Sequence, residues 1–139
     1  MSGHWEHFSH RADIGLRAVA DTKAEVFENM ASAMAAVISD LGVIEPAQEV
    51  TVDCEAPSDE VLLVDWLNTL IYEMATRKLL FSEFEVSLDN HRLHGLARGE
   101  SIDQQKHEPA VEIKGATYTG LEIRPLENGR WRAACVIDV

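Results

Sequence analysis

The stretch Ala133-Ala134-Cys135-Val136-Ile137 restricts the fold more than any other feature, because it is apolar without interruption. A strand with one wet face alternates polar and apolar residues, whereas an unbroken apolar run describes a strand covered on both faces. Such a strand needs partners along its edges and layers above and below it. The rest of the chain supplies them. Ile14, Leu16, Ala18 and Ala20 alternate with Gly15, Arg17 and Val19, His7 to Ser9 reads as a short preceding strand, and Val50, Val52 and Cys54 form another strand face. From Leu80 onward strands are predicted near 80–88, 92–98, 110–117, 120–125 and 130–138. Asp89-Asn90, Thr119-Gly120 and Asn128-Gly129 supply the turns between them.

Two helices are predicted to cover this sheet. Thr22 is an N-cap and Glu25, three residues on, completes a capping box. Val26, Phe27, Met30, Met34, Val37, Ile38 and Leu41 follow at helical spacing, with Gly42 as the expected stop. Pro57 and Ser58 open the second helix, and Asp59 and Glu60 suit the positive end of its dipole. Leu63, Trp66, Leu67, Leu70, Ile71 and Met74 form its inward stripe, which makes Trp66 a core residue rather than a binding platform; Arg77 and Lys78 suit its C-terminal end. The expected fold is α+β: two amphipathic helices packed on an antiparallel meander sheet, in a single domain over residues 1–139. One polar connection, Gly99 to Pro109, is long for a hairpin loop, and its Lys106 and His107 read either as contacts for a partner or as part of a mobile polar loop.

Charge narrows the range of partners. Twelve Lys and Arg against 24 Asp and Glu leave a formal net charge of −12. Nucleic-acid affinity rests largely on basic side chains that displace phosphate counterions, so direct RNA or DNA binding is not expected. A protein partner is. No apolar run approaches the roughly 18–20 residues of a membrane span. The first residues carry no signal-peptide pattern, so a cytoplasmic location is expected. Cys54 and Cys135 read as small buried hydrophobes, although the spacing leaves a disulfide between them open.

Nucleotide-loop, dinucleotide, nucleophile-elbow and zinc-cluster motifs are absent. Two segments are polar where strands are not. In His7-Phe8-Ser9-His10-Arg11-Ala12-Asp13-Ile14-Gly15, two histidines and an aspartate gather at a turn, which taken alone also describes an Asx turn with surface histidines. At the other end, Asp138 and Val139 follow the buried run directly. A carboxylate there must be solvated, paired or bound to a cation, and oxygen donors of this kind suit Ca²⁺, Mg²⁺ or Mn²⁺ better than zinc. A solvated chain end explains that segment equally well. His91 and His94 flank a turn and read as surface residues, and Glu83 and Glu85 as a solvated strand face.

HFSHRADIGLRA, VFENMASAM, LLVDWLNTLIYE, LLFSEFEV, HEPAVEIKGATYTGLEI and WRAACVIDV, in that order from about residue 4 to residue 139, make the chain resemble the archease family. The resemblance implies a small acidic α+β protein cofactor of the GTP- and metal-dependent tRNA-splicing RNA ligase. Such a cofactor speeds guanylylation of the ligase and sustains multiple turnover, without being an enzyme itself. It also implies a divalent cation, Ca²⁺, Mg²⁺ or Mn²⁺, held by Asp13, Asp138 and Val139 with His10 close by. An alternative role for the same family is a chaperone-like specificity factor for a tRNA-modifying enzyme such as a methyltransferase. Two residues depart from the family pattern: Arg11, where threonine is common, and Thr119, where TYHGL is usual. A metal-dependent hydrolase is disfavoured, since no general base accompanies the carboxylates.

Overall fold

The unbroken apolar run lies inside the larger of two sheets. The structure, a computed structural model, describes residues 3–139. Along the chain, β1 (Gly3–His10), β2 (Asp13–Ala20), α1 (Lys23–Ile38), β3 (Gln48–Glu55), α2 (Asp59–Arg77), β4 (Leu79–Asp89) and β5 (Arg92–Ser101) come first. A short α3 (Gln104–His107), β6 (Gly115–Ala116), β7 (Glu122–Pro125) and β8 (Trp131–Asp138) follow. The five-stranded sheet has the order β1-β2-β8-β6, with β7 paired to the first half of β8; the three-stranded sheet has the order β3-β5-β4. Every ladder is antiparallel. The α+β class therefore holds, but the meander is split into two sheets, and each long helix contacts both.

With β2 on one edge and β6 and β7 on the other, β8 has no free side, and Ala133 to Ile137 are all buried. Ala133, Cys135 and Ile137 lie opposite Ala18, Leu16 and Ile14 on the face turned to the core. Burial raises the Cys135 thiol to about 11, which keeps it protonated and inert at neutral pH. Cys54 and Cys135 are both free thiols, so no disulfide joins them.

Both long helices start where the capping residues predict. The Thr22 hydroxyl accepts from the Glu25 N–H at 3.1 Å, and Ser58 accepts from Val61 at 3.3 Å. The end of α1 differs from expectation. It stops at Ile38 with Ser39 in extended conformation, and Gly42 sits in a separate 3-10 turn whose N–H is taken by the Asp40 carboxylate. Ser39 instead donates its hydroxyl to the His107 carbonyl at 2.7 Å, a contact 68 residues away that local spacing does not encode. On α2, Leu63, Trp66, Leu67, Leu70 and Met74 are buried as the stripe predicts, and Lys78 caps the helix in the left-handed region. Trp66 is core. Its Nε1 donates to the Phe27 carbonyl at 3.1 Å, joining the helices, and its ring meets Phe84 edge-on.

The 99–109 connection is not the loop that its polarity predicts. Its first residues extend β5, its centre forms α3, and His107 is 3% exposed. The His107 Nδ1 accepts from the Asp103 N–H at 2.9 Å, which leaves Nε2–H to donate to the Glu100 carboxylate at 2.9 Å. Lys106 at 2.8 Å and the Glu45 N–H at 2.9 Å complete the knot on Glu100. The polar residues satisfy one another, which is why a hydrophilic sequence is ordered here. The predicted strand at 110–117 is reduced to Gly115–Ala116, because Ala110 donates to the Ile38 carbonyl at the end of α1 rather than to a sheet. Glu83 and Glu85 are the solvated face expected, bridged by Arg98. His91 and His94 are surface residues, facing Asp59 and Asp53.

Two outcomes are expected. A Cβ on Gly95 would sit 2.4 Å from the Trp66 ring, so Gly95→Ala should cost about 1–3 kcal/mol of overpacking, read as a lower denaturant midpoint. Glu100 is held down to about 2 by Lys106 first, then by the Glu45 N–H and His107. A depressed carboxylate stabilises the fold fully above its unfolded value of about 4.3 and loses that effect as pH falls toward 2. Glu100→Gln should therefore flatten the stability change between those limits, measured by thermal melts across pH.

Candidate functional site

The ladders bring the two polar segments into one row. His10 pairs with Asp13 across the β1–β2 turn, and Ile14 pairs with Ile137 between β2 and β8. Continuing that register by one residue sets Asp13 opposite Asp138. On the far side Asp138 pairs with Gly115 of β6, and its carbonyl accepts from the Lys114 N–H at 2.8 Å. Because side chains alternate along strands, His10, Asp13 and Asp138 share the face opposite the one carrying Ile14, Leu16 and Ile137. Directly opposite residues have Cα atoms about 4.5–5.5 Å apart. Like charges so placed are destabilising. Neither aspartate forms an ion pair with another described residue.

Packing beneath the row is close. The Phe8 ring lies where a Cβ on Gly15 would be, about 2.2 Å from the nearest ring carbon, so only glycine admits it. The Arg17 guanidinium stacks 4.4 Å from the Phe8 ring centre and bonds Glu6 at 2.8 Å. An exposed cation–π contact of this kind contributes about 0.5–1 kcal/mol. On the β6 side, Asn68 of α2 accepts from the Ala116 N–H at 2.8 Å, tying the short strand to the helix. Thr117 donates both its N–H and its hydroxyl to the Val136 carbonyl, so the last turn of backbone before Asp138 is fully bonded. Both aspartates thus stand on held strands, and Asp138 itself is exposed.

The donors suit a hard cation. Two carboxylates and nearby main-chain oxygens are oxygen ligands, and a cation between them relieves their mutual repulsion. The His10 Nδ1 is a second mark: it is buried on the same face and has no hydrogen-bond partner. Among the described residues, however, no three His, Cys, Asp or Glu side chains converge as a finished ligand cluster. A cation here would rest on Asp13, Asp138 and oxygens other than side chains, with His10 beside rather than among the ligands. Val139 follows Asp138 and is partly buried against the core. Neither Asp13 nor Asp138 lines the cleft beside Met74 and Ile113, the one at Asp65 and Asn68, or the one at Asp89 and Asn90.

Sequence spacing singles out neither Asn68 nor Lys114. Asn68, a polar residue next to the apolar stripe of α2, carried the only available signal. Gly15 signals its role more openly, as a glycine inside a strand pattern, which marks a close approach.

Fold and row together define a small acidic α+β protein that presents carboxylates from two neighbouring strands at one end of a sheet. A profile of the archease protein family (MTH1598/TM1083) matches residues 5–139. The protein archease of Pyrococcus furiosus is 39% identical, with 97% of this chain and 98% of that protein aligned. The protein archease of Methanosarcina acetivorans is 37% identical over 97% of this chain and 95% of its own length. The solution structure of Methanobacterium thermoautotrophicum protein 1598 superposes with a TM-score of 0.85 at 35% identity, covering 97% of this chain and 98% of that one. The chain belongs to the archease family.

Removing the Asn68 acceptor strands the Ala116 N–H. Asn68→Ala should cost about 1–3 kcal/mol and speed hydrogen exchange at Ala116, while exchange at Leu16 and Cys135 in the sheet centre changes only with global stability.

Proposed function

We propose that this protein is a metal-binding cofactor that activates a GTP-dependent tRNA-splicing RNA ligase, promoting guanylylation and multiple turnover, rather than an enzyme in its own right. Membership of the archease family points to the ligase, and the register that sets Asp13 opposite Asp138 is the observation that supports a metal-dependent role. The proposed cation is Ca²⁺, Mg²⁺ or Mn²⁺, held by Asp13, Asp138 and Val139. Such an ion would supply a fixed positive charge at the sheet end; the chain's own part is to hold the two aspartates in register and leave them open to a partner. The net charge of −12 favours docking on a basic, RNA-binding surface and disfavours competition for the RNA itself. Among the described residues no helix is long and apolar enough to cross a membrane, and the proposed location is cytoplasmic.

Ligation with a cognate ligase under multiple-turnover conditions tests this reading. Wild-type protein should raise turnover. Asp13→Asn and Asp138→Asn should each reduce cation affinity about tenfold or more, equivalent to ~1.4 kcal/mol, and reduce activation with it. Their melting temperatures in chelator should stay level or rise, since each substitution removes a like-charge contact. Equal calorimetric affinity in wild type and variants would sink the metal assignment, and co-purification with a tRNA methyltransferase in place of the ligase would sink the partner assignment.

A further inference from the structure

The helix α2 and the chain segment that follows α3 are tied together at one end, where Asn68 accepts from the Ala116 N–H at 2.8 Å. Further along they part. Ile71, Met74 and Lys78 on the helix side, and Val111 and Ile113 on the segment, border an open cleft of about 540 Å³. That volume lies within the roughly 300–1,000 Å³ of ligand clefts. Its lining includes Ile38, Met74, Leu80 and Ile113, all buried, while Ile102 at the same cleft remains 37% exposed.

The segment is a strand in all but its pairing. Pro109, Val111 and Ile113 are turned inward and Ala110, Glu112 and Lys114 are exposed, the alternation of an extended chain. Ala110 donates its N–H to the Ile38 carbonyl, and Lys114 donates to the Asp138 carbonyl. Successive N–H groups of an extended chain point to opposite sides. Those of Val111 and Ile113 are therefore turned away from these acceptors, and no described residue accepts from either. A strand edge with two bare donors thus borders the apolar cleft. Charge adds a second mark. Lys78 is exposed at the cleft and has no carboxylate within ion-pair distance among the described residues, whereas its neighbour Arg77 is taken by Glu73. With 24 acids against 12 bases in the chain, an unpaired base is the exception.

We infer that this cleft receives an extended peptide segment of a partner protein, which adds as a strand along Val111 and Ile113 and carries a carboxylate at Lys78. Bare donors at a strand edge are a template for another chain. Strand addition draws affinity from main-chain hydrogen bonds and selectivity from pockets for alternate side chains. Met74, Leu80 and Ile102 supply the apolar contacts here. Glu112, on the segment side, disfavours an acidic group at that wall, which leaves the carboxylate to the Lys78 end. A small apolar anion would fill the cleft and meet Lys78, but it would leave both N–H groups unbonded.

NMR titration of the full chain tests this with a panel of pentapeptides that alternate valine, leucine or phenylalanine with threonine. Each is used with a free C-terminal carboxylate and as its C-terminal amide, and octanoate serves as the small apolar anion. The tightest carboxylate peptide should shift the Val111 and Ile113 amide signals and slow their hydrogen exchange. Its amide should bind about tenfold more weakly, the order of one charge-assisted contact. Lys78→Gln should weaken the carboxylate peptide by the same factor and leave the amide peptide unchanged, a split that a folding defect would not produce. N-methylation of alternate peptide bonds in the probe should remove binding in one phase and spare it in the other, because only one set faces the edge. Equal effects of the two phases overturn strand addition, and equal affinity of carboxylate and amide overturns the role of Lys78. Octanoate that outbinds every peptide overturns the inference in favour of a small-molecule site. A panel that moves neither amide signal at millimolar concentration overturns it outright.

Discussion

Everything at the proposed site depends on β8 having no exposed face and no free edge. A strand with apolar residues at Ala133 through Ile137 cannot lie at a sheet margin, so β2 must pair on one side and β6 and β7 on the other. Because that run is apolar on both faces, the register is decided by its neighbours: β2 turns Leu16, Ala18 and Ala20 to the core and Arg17 outward, and the exposed Asp138 falls on the outer face. The register in turn puts Asp138 beside Asp13. The hydrophobic requirements of β8 and β2 thus place two carboxylates that hydrophobicity would never bring together.

The outer face shows how the chain tolerates that juxtaposition. Phe8 lies on Gly15, Arg17 lies on Phe8, and Glu6 closes the stack, so the surface below the row is packed and partly neutralised. At the row itself the pairing stops, and Asp13, Asp138, Arg11 and Lys114 remain without ion-pair partners among the described residues. Elsewhere the same protein satisfies its charges with care: Arg98 bridges three glutamates, and Glu100 takes Lys106, His107 and a backbone N–H. What sets this end of the sheet apart is that two of the unpaired carboxylates stand opposite one another on neighbouring strands.

The His107 knot is the opposite case, a polar sequence used for architecture. Glu100 and Asp103 hold the imidazole in one tautomer, Ser39 ties its carbonyl to the end of α1, and the chain then runs past Pro109 toward β6. The short α3 therefore sets where the 110–114 segment crosses from the smaller sheet to the larger, and through it where Val111 and Ile113 stand. Structural and candidate functional residues are linked here through backbone placement rather than direct contact.

The sequence by itself determined the elements whose cause is local or periodic. Capping at Thr22 and Ser58, the buried stripe of α2, the turns at Asn90 and Gly129 and the doubly covered β8 were all legible, because each is written in adjacent or regularly spaced residues. It also marked Asp13 and Asp138 as separate oddities, each with an ordinary explanation available, and the resemblance to archeases joined them before any geometry did. Tertiary structure alone decided the rest. The early end of α1, the loss of strand at 110–114 and the anchoring of β6 by Asn68 rest on contacts between residues far apart in sequence, the burial of His107 on near and distant partners together, and the split into two sheets on which strands pair. A lone polar side chain reads as solvated until its distant partner is in place, so no pattern in the chain could have announced them.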